Sequence, residues 1–345
     1  MRAMMIWLVL FCGSALAEPY QAVVGPGGDY PSIGAALAAV PKDNGKPFTI
    51  FIQDGVYQEK LSVDKPHVRL LGQSQGGTII RFGDSAEAKG ADGKAVGTWG
   101  SYVLRVTAPD FSAQNLTIDN SFDFPANAAK SDTDPTKVRH TQAVALATTG
   151  QSDRALFRRV TLIGYQDTLL MDAGRQLFED CTIKGNVDFI FGKGQGVFRR
   201  CDIVSRNRPG AKVTGYITAP STDISQPYGM LFVDNRFIKE KGVPKGSVRL
   251  GRPWHPSGDP RAEGSAVFIN NFMDDHFGPQ GYADIGVTLP SGQPARFQWQ
   301  PWSRFFEYGN TGPGAIKDSN RPQLLPAALP WYSADAVLAG WQPGP

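Results

Sequence analysis

Two aspartates, Asp167 and Asp188, stand 21 residues apart in similar surroundings. Each follows a phenylalanine by ten residues, Phe157 in one case and Phe178 in the other, and residues 156–162 are matched by residues 177–183. If that spacing is a structural period built from β-type segments, the two carboxylates stack on adjacent coils, roughly 5 Å apart. Two acids that close do not both ionise easily in a half-buried site. One pKa rises while the other stays low, and the pair divides into a proton donor and a nucleophile or base. The bland alternative is a pair of solvated turn aspartates, and the neighbours argue against it. Gln142 precedes Gln166 by 24 residues, again near one coil. Neutral amide donors stabilise a developing oxyanion without neutralising a nucleophile. Arg252 lies in Leu250-Gly251-Arg252-Pro253-Trp254. A guanidinium clamps a carboxylate through two hydrogen bonds and keeps it ionised. Trp254, two residues on, falls on the same side of an extended segment, where a flat ring suits a sugar.

The elements that must hold these residues are strands. Strand-like runs follow one another at 48–53, 60–63, 68–71, 78–82, 102–106 and 111–118, separated by turn residues. Aligning the apolar anchors gives Ala113, Phe157, Phe178, Phe198 and Phe232, with spacings of 44, 21, 20 and 34. The first spacing is two turns and the last is one turn plus an insertion. Such a period with β-type segments means a solenoid. The leucine–asparagine pattern of leucine-rich repeats is missing. The expected fold is therefore all-β, a right-handed single-stranded parallel β-helix. Residues 35–40 are helix formers ended by Pro41, and they predict a short helical cap over the N-terminal end. Residues 83–100 and 121–139 predict long polar loops, which are usually functional or mobile. Residues 267–272 suggest a further coil. Residues 277–345 predict a C-terminal tail packed on the solenoid.

Composition narrows the setting. The chain has 345 residues, of which 41% are hydrophobic and 19% charged, with a formal net charge of +3. Arg2, the apolar run from Met4 to Cys12 and the small-x-small Ala15-Leu16-Ala17 predict a signal peptide over 1–17. That leaves one domain, 18–345, exported to the periplasm or the medium. Losing Arg2 lowers the net charge by one, and a nearly neutral chain gives no support for nucleic-acid binding. No later stretch predicts a membrane span, and the chain is expected to act as a monomer. Cys181 and Cys201 follow Phe178 and Phe198 by three residues each, so they occupy equivalent positions on consecutive coils. In an exported chain that predicts a disulfide between them. His67, His140, His255 and His276 show no metal-ligand spacing, so no metal and no cofactor are expected. Gly72-Gln73-Ser74-Gln75-Gly76 spells a nucleophile elbow, but residues 78–82 predict a strand where an elbow needs a helix. Asn115-Leu116-Thr117 is a glycosylation sequon inside a predicted strand.

Several motifs together resemble the pectin methylesterases of the carbohydrate esterase 8 type. They are Gly55-Val56-Tyr57-Gln58-Glu59, Gln142-Ala143-Val144-Ala145-Leu146, Gly164-Tyr165-Gln166-Asp167-Thr168-Leu169, Gly185-Asn186-Val187-Asp188-Phe189-Ile190-Phe191-Gly192 and Leu250-Gly251-Arg252-Pro253-Trp254. The resemblance covers roughly residues 20–320 and implies the same β-helix. It also implies a substrate, methylesterified pectin, and roles. Asp188 matches the nucleophile and Asp167 the general acid and then base. Gln166 and Gln142 match the oxyanion donors, and Arg252 the residue that orients the nucleophile. Val187, Phe191 and Trp254 match the sugar groove, with Thr141 and Tyr165 as further candidate contacts. One departure is Leu170, where such enzymes usually carry an aromatic that touches sugar. Competing classes make different products. A β-helix glycosidase releases new reducing ends rather than methanol, and its cationic transition state needs no oxyanion donors. An acyl thioesterase on this scaffold acts on thioesters. A non-catalytic wall-binding β-helix tolerates Asp188→Ala.

Overall fold

The computed structural model describes residues 20–343. The chain winds as a right-handed parallel β-helix, with 16 strands in one long sheet and seven in a second. The second sheet runs through Leu61–Val63, Leu104–Val106, Leu146–Thr148, Leu169–Met171, Val187–Gly192, Gly215–Pro220 and Val248–Gly251, all parallel. The one antiparallel pair among the described strands is a hairpin of Ile285–Thr288 and Pro294–Phe297.

Register is set by the apolar anchors. Phe157 pairs with Ala113 and Phe178, Phe178 with Phe198, Phe198 with Phe232, and Phe232 with Phe268. Their rings stack inside the solenoid with centroids 4.7, 4.8, 4.5 and 4.9 Å apart. All five phenylalanines are fully buried. A slip by one residue would turn each of these rings to solvent, so the ladder fixes every neighbouring side chain as well.

The predicted cap is the helix Ile33–Ala39, whose Ile33, Ala36 and Leu37 enter the core. Ser32 Oγ accepts from Ala35 N at 3.2 Å. The Glu59 carboxylate accepts from Ile33 N and Gly34 N at 2.9 and 2.8 Å. This gives the Gly55–Glu59 motif a structural purpose, because an anion at a helix N-terminus satisfies orphan amides. At the far end Arg321 pairs with Glu307, both buried, and donates to the Gly278 and Gly314 carbonyls. Val337 and Leu338 then pack on Leu177, Val197 and Leu231 on the outer face of the long sheet. Residues 78–82 form the strand Thr78–Phe82, which leaves Ser74 in a strand-to-strand turn with its hydroxyl on Asp54. Among the described residues no helix is long and apolar enough to cross a membrane. The predicted signal peptide lies outside the described residues.

The predicted disulfide is absent. Cys181 and Cys201 do sit side by side in register, beside the Thr182–Asp202 pair, but both are free and buried. Cys181 Sγ donates to the Phe157 and Glu179 carbonyls at 3.4 and 3.2 Å. Cys201 Sγ donates to those of Phe178 and Arg199, both at 3.4 Å. Each thiol is instead spent on backbone carbonyls of its own and the preceding coil. Burial, and then the adjoining Cys181, push the Cys201 thiol well above its ordinary 9.0. Unfolded without reductant, the chain from residue 18 onward should titrate two thiols per molecule, and the native protein almost none. Thiol titration in denaturant checks this, and a chain with no titratable thiol would restore the bridge.

Candidate active site

The two glycines that open the aspartate motifs are equivalent. Ile163 pairs with Lys184, which puts Gly164 level with Gly185. A Cβ at Gly185 would lie 2.2 Å from Phe189 Cβ, and one at Gly164 would lie 2.6 Å from Thr168 Oγ1. The chain therefore turns tightly there and enters the second sheet. Leu169 pairs with Ile190, so Asp167 and Asp188, two residues earlier, occupy matching places on consecutive coils. Both take left-handed backbone, φ 62° and 50°, which aspartate tolerates better than most residues. The strand Val187–Gly192 is irregular at this point. Val187 pairs with Tyr216 and Ile190 with Thr218, so Asp188 and Phe189 together oppose one residue. Such a bulge re-aims a side chain.

Asp188 is held from 64 residues away. Arg252 Nε donates to Oδ1 at 2.8 Å and Nη2 to Oδ2 at 2.5 Å, a two-pronged ion pair. The Arg252 guanidinium lies over the Tyr216 ring, 4.0 Å from its centroid. Burial works against the Arg252 charge, but Asp188, helped by Tyr216 and Asp167, raises the arginine pKa on balance. Among the described residues Asp167 has no ion-pair partner. Burial first, and then the neighbouring Asp188 charge, push its pKa well above 3.8, with Arg252 pulling weakly the other way. The expected asymmetry is therefore present on the Asp167 side, and its cause is mainly desolvation.

The amides also converge. Gln142 and Gln166 form a parallel bridge, and the Thr141 hydroxyl donates to Gln166 Oε1 at 2.8 Å. That hydrogen bond leaves Gln166 Nε2 as the end offered to the cleft. Gln142, Gln166, Asp167, Asp188 and Arg252 all line one cleft of about 430 Å³ together with Phe191 and Trp254. Phe191 and Trp254 meet edge to face at 5.5 Å. Leu170 is fully buried with Val144, Phe191 and Ala219, so it supports the wall instead of touching a ligand. Three expected contacts are not brought to the cleft lining. Thr141 spends its hydroxyl on Gln166. Val187 is buried, with its carbonyl on Asp167 N at 3.0 Å. The Tyr165 ring is covered by Phe124 on one side and by the Arg206 guanidinium, 3.7 Å from its centroid.

Other cleft residues escaped the sequence reading. Thr98 and Trp99 come from the helical turn Gly97–Gly100 inside the predicted loop, and Trp99 is about half exposed. Ile285, Val287 and Thr288 come from the hairpin, for which Pro290-Ser291-Gly292 was the available turn signal. His255 donates from Nδ1 to the Asp259 carbonyl at 2.8 Å and lies flat on Phe297 at 3.7 Å. Burial lowers its pKa. Among the described residues no three His, Cys, Asp or Glu side chains gather to hold a metal ion.

A parallel β-helix with a buried carboxylate pair, paired amides and an aromatic-walled cleft belongs to the class of polysaccharide-modifying solenoid enzymes. The pectinesterase family model matches residues 21–323, and the chain belongs to the pectinesterase family. It is 44% identical to Pectinesterase A of Dickeya dadantii, over 95% of this chain and 93% of that one. A solved pectin methylesterase in complex with a hexasaccharide superposes with a TM-score of 0.91 at 43% identity, over 95% of this chain and 99% of that one. The pectin methylesterase from Yersinia enterocolitica gives 0.87 at 46%, over 90% and 99%. As a pectinesterase the chain is a carboxylic ester hydrolase.

The electrostatics of Asp167 carry a stability consequence. In the unfolded chain its carboxyl ionises above about 3.8, while the folded protein retains the proton to higher pH. Folded stability therefore falls as pH rises from there through the folded pKa. Asp167→Asn does not titrate. It should raise the melting temperature at neutral pH, and the gain should vanish below about pH 3.8. Thermal unfolding across pH measures it, and a variant less stable than the parent at pH 7 would contradict the buried-acid account.

Proposed function

We propose that the chain hydrolyses the C6 methyl esters of polygalacturonate to pectate and methanol through a covalent acyl-enzyme. The observation that carries the reading is the arginine-clamped Asp188 one coil away from proton-retaining Asp167, beneath two amides. The Asp188 carboxylate attacks the ester carbonyl carbon. Gln166 and Gln142 donate to the oxygen that gains charge. The bond to the methoxy group breaks, and Asp167 gives its proton so that methanol leaves. Asp167, now a carboxylate, takes a proton from water. That water attacks the acyl carbon, the anhydride bond opens, and Asp188 is released with the galacturonic acid. Arg252 keeps Asp188 oriented throughout. Trp254 and Phe191 offer ring surface to the sugar, and the hexasaccharide complex of the related enzyme supports an oligosaccharide in this cleft. The chain works as one monomeric unit, residues 18–345, exported after cleavage near Ala17. Methanol release from methylated pectin, without new reducing ends, tests the reaction itself.

The two aspartates separate experimentally. Asp188→Asn should fall to the assay floor, since no neighbour replaces the nucleophile. Asp167→Asn keeps the nucleophile and both amides, and acylation by a methyl ester should slow by roughly 10²–10⁴. An aryl galacturonate ester needs less protonation of its leaving group. Asp167→Asn should give a burst with it, followed by a slow phase, because deacylation still lacks its base. Stopped-flow release of the aryl alcohol reads both phases. A burst from Asp188→Asn with none from Asp167→Asn would show the roles to be reversed.

A further inference from the structure

Beyond the cleft, on the other side of the hairpin, lies a hollow of about 550 Å³ lined by Ile224, Pro260, Phe297 and Trp302. Trp302 is 70% exposed and Ile224 54%, an unusual outlay of large apolar surface. The hollow adjoins the cleft, and the buried His255 borders both. The buried His255 ring lies flat on Phe297 and backs it, while Phe297 and the exposed Trp302 both line the hollow. The charges around the hollow are already matched. Arg296 pairs with Asp284 at 3.0 Å, Arg304 with Glu263 at 3.5 Å and Arg261 with Asp223 at 2.8 Å. An ionised sugar acid gains little from cations that already hold carboxylates. A neutral sugar ester presents an apolar C–H face and a methyl group to such a surface.

We propose that this hollow is an outlying binding site for methyl-esterified, uncharged galacturonosyl units of a polymer chain whose reacting unit lies in the cleft. The proposal rests on the pectin methylesterase reading. It gives Trp302 a role as a specificity-determining platform, with Phe297 and Ile224 as its flanks. None of the three touches the reacting atoms, so the site acts on the affinity for long substrates and leaves the chemical step alone.

The test compares Trp302→Ala and Trp302→Phe with the parent on two substrates, long highly methylated pectin and a short methylated trigalacturonate. For Trp302→Ala, KM on the long polymer should rise on the order of fivefold to tenfold, the loss of one ring contact. Its kcat should be unchanged, as should both constants on the short ester. Trp302→Phe should restore most of the affinity. De-esterified polygalacturonate should inhibit parent and Trp302→Ala equally, because it does not use the hollow. An unchanged KM on the long polymer overturns the proposal, as does an equal loss on the short ester. So does a change of molecular mass in solution on substitution, which would make the hollow a contact between copies. Failure of the parent to release methanol from either substrate would instead count against the proposed reaction.

Discussion

Parallel coils must stack in register, and everything else in this molecule follows from that constraint. Hydrogen bonding between coils fixes one vertical repeat, and side chains at matching positions have no choice but to lie over one another. For Phe157, Phe178, Phe198, Phe232 and Phe268 this is favourable, and their rings form a continuous column. For Asp167 and Asp188 it is unfavourable, since like charges at strand spacing repel and are poorly solvated. The apolar column is what keeps the acids together. A cluster of carboxylates on a mobile loop would move apart, whereas here the backbone that holds them is locked by the core behind.

The asymmetry between the acids comes from outside the repeat. Arg252 arrives from a later coil and reaches Asp188 with both prongs. It makes no hydrogen bond to Asp167. Desolvation, acting on two chemically identical groups, is thereby resolved into one ion-paired carboxylate and one whose pKa is pushed up. The Tyr216 ring beneath the guanidinium and the bulge in Val187–Gly192 set the direction of that reach. The amides are arranged by the same economy, with Gln142 and Gln166 related by one coil and Gln166 oriented by Thr141.

Much of this was legible because it is periodic. The phenylalanine spacing marks the coils, and equal offsets from Phe157 and Phe178 put the two aspartates in one column from sequence alone. The helical cap and the packed tail were also visible, from a run of helix formers and from late apolar residues. What stayed hidden was direction. Cys181 and Cys201 fall on the expected coils, but spacing says nothing of what a thiol bonds to, and each donates to backbone carbonyls. Thr141, Val187 and Tyr165 neighbour the site in sequence, yet one supports an amide and two are enclosed by other groups. Trp99 and the hairpin escaped for another reason. They lie on excursions between coils, where no repeat links residue to position, so contact with the cleft depends on how each loop folds back.

The cap formed by Ile33–Ala39 has a consequence beyond its own stability. A stack of parallel strands has no natural last member: its terminal coil offers the same unpaired edge that every interior coil offers to its neighbour. Nothing in the repeat itself limits growth to one chain. Glu59, by fastening the helix N-terminus over the core, turns an endless lattice into a molecule of fixed length. Two hydrogen bonds to one carboxylate thus help to set the boundary between a single molecule and a fibre that would lengthen by end-to-end addition.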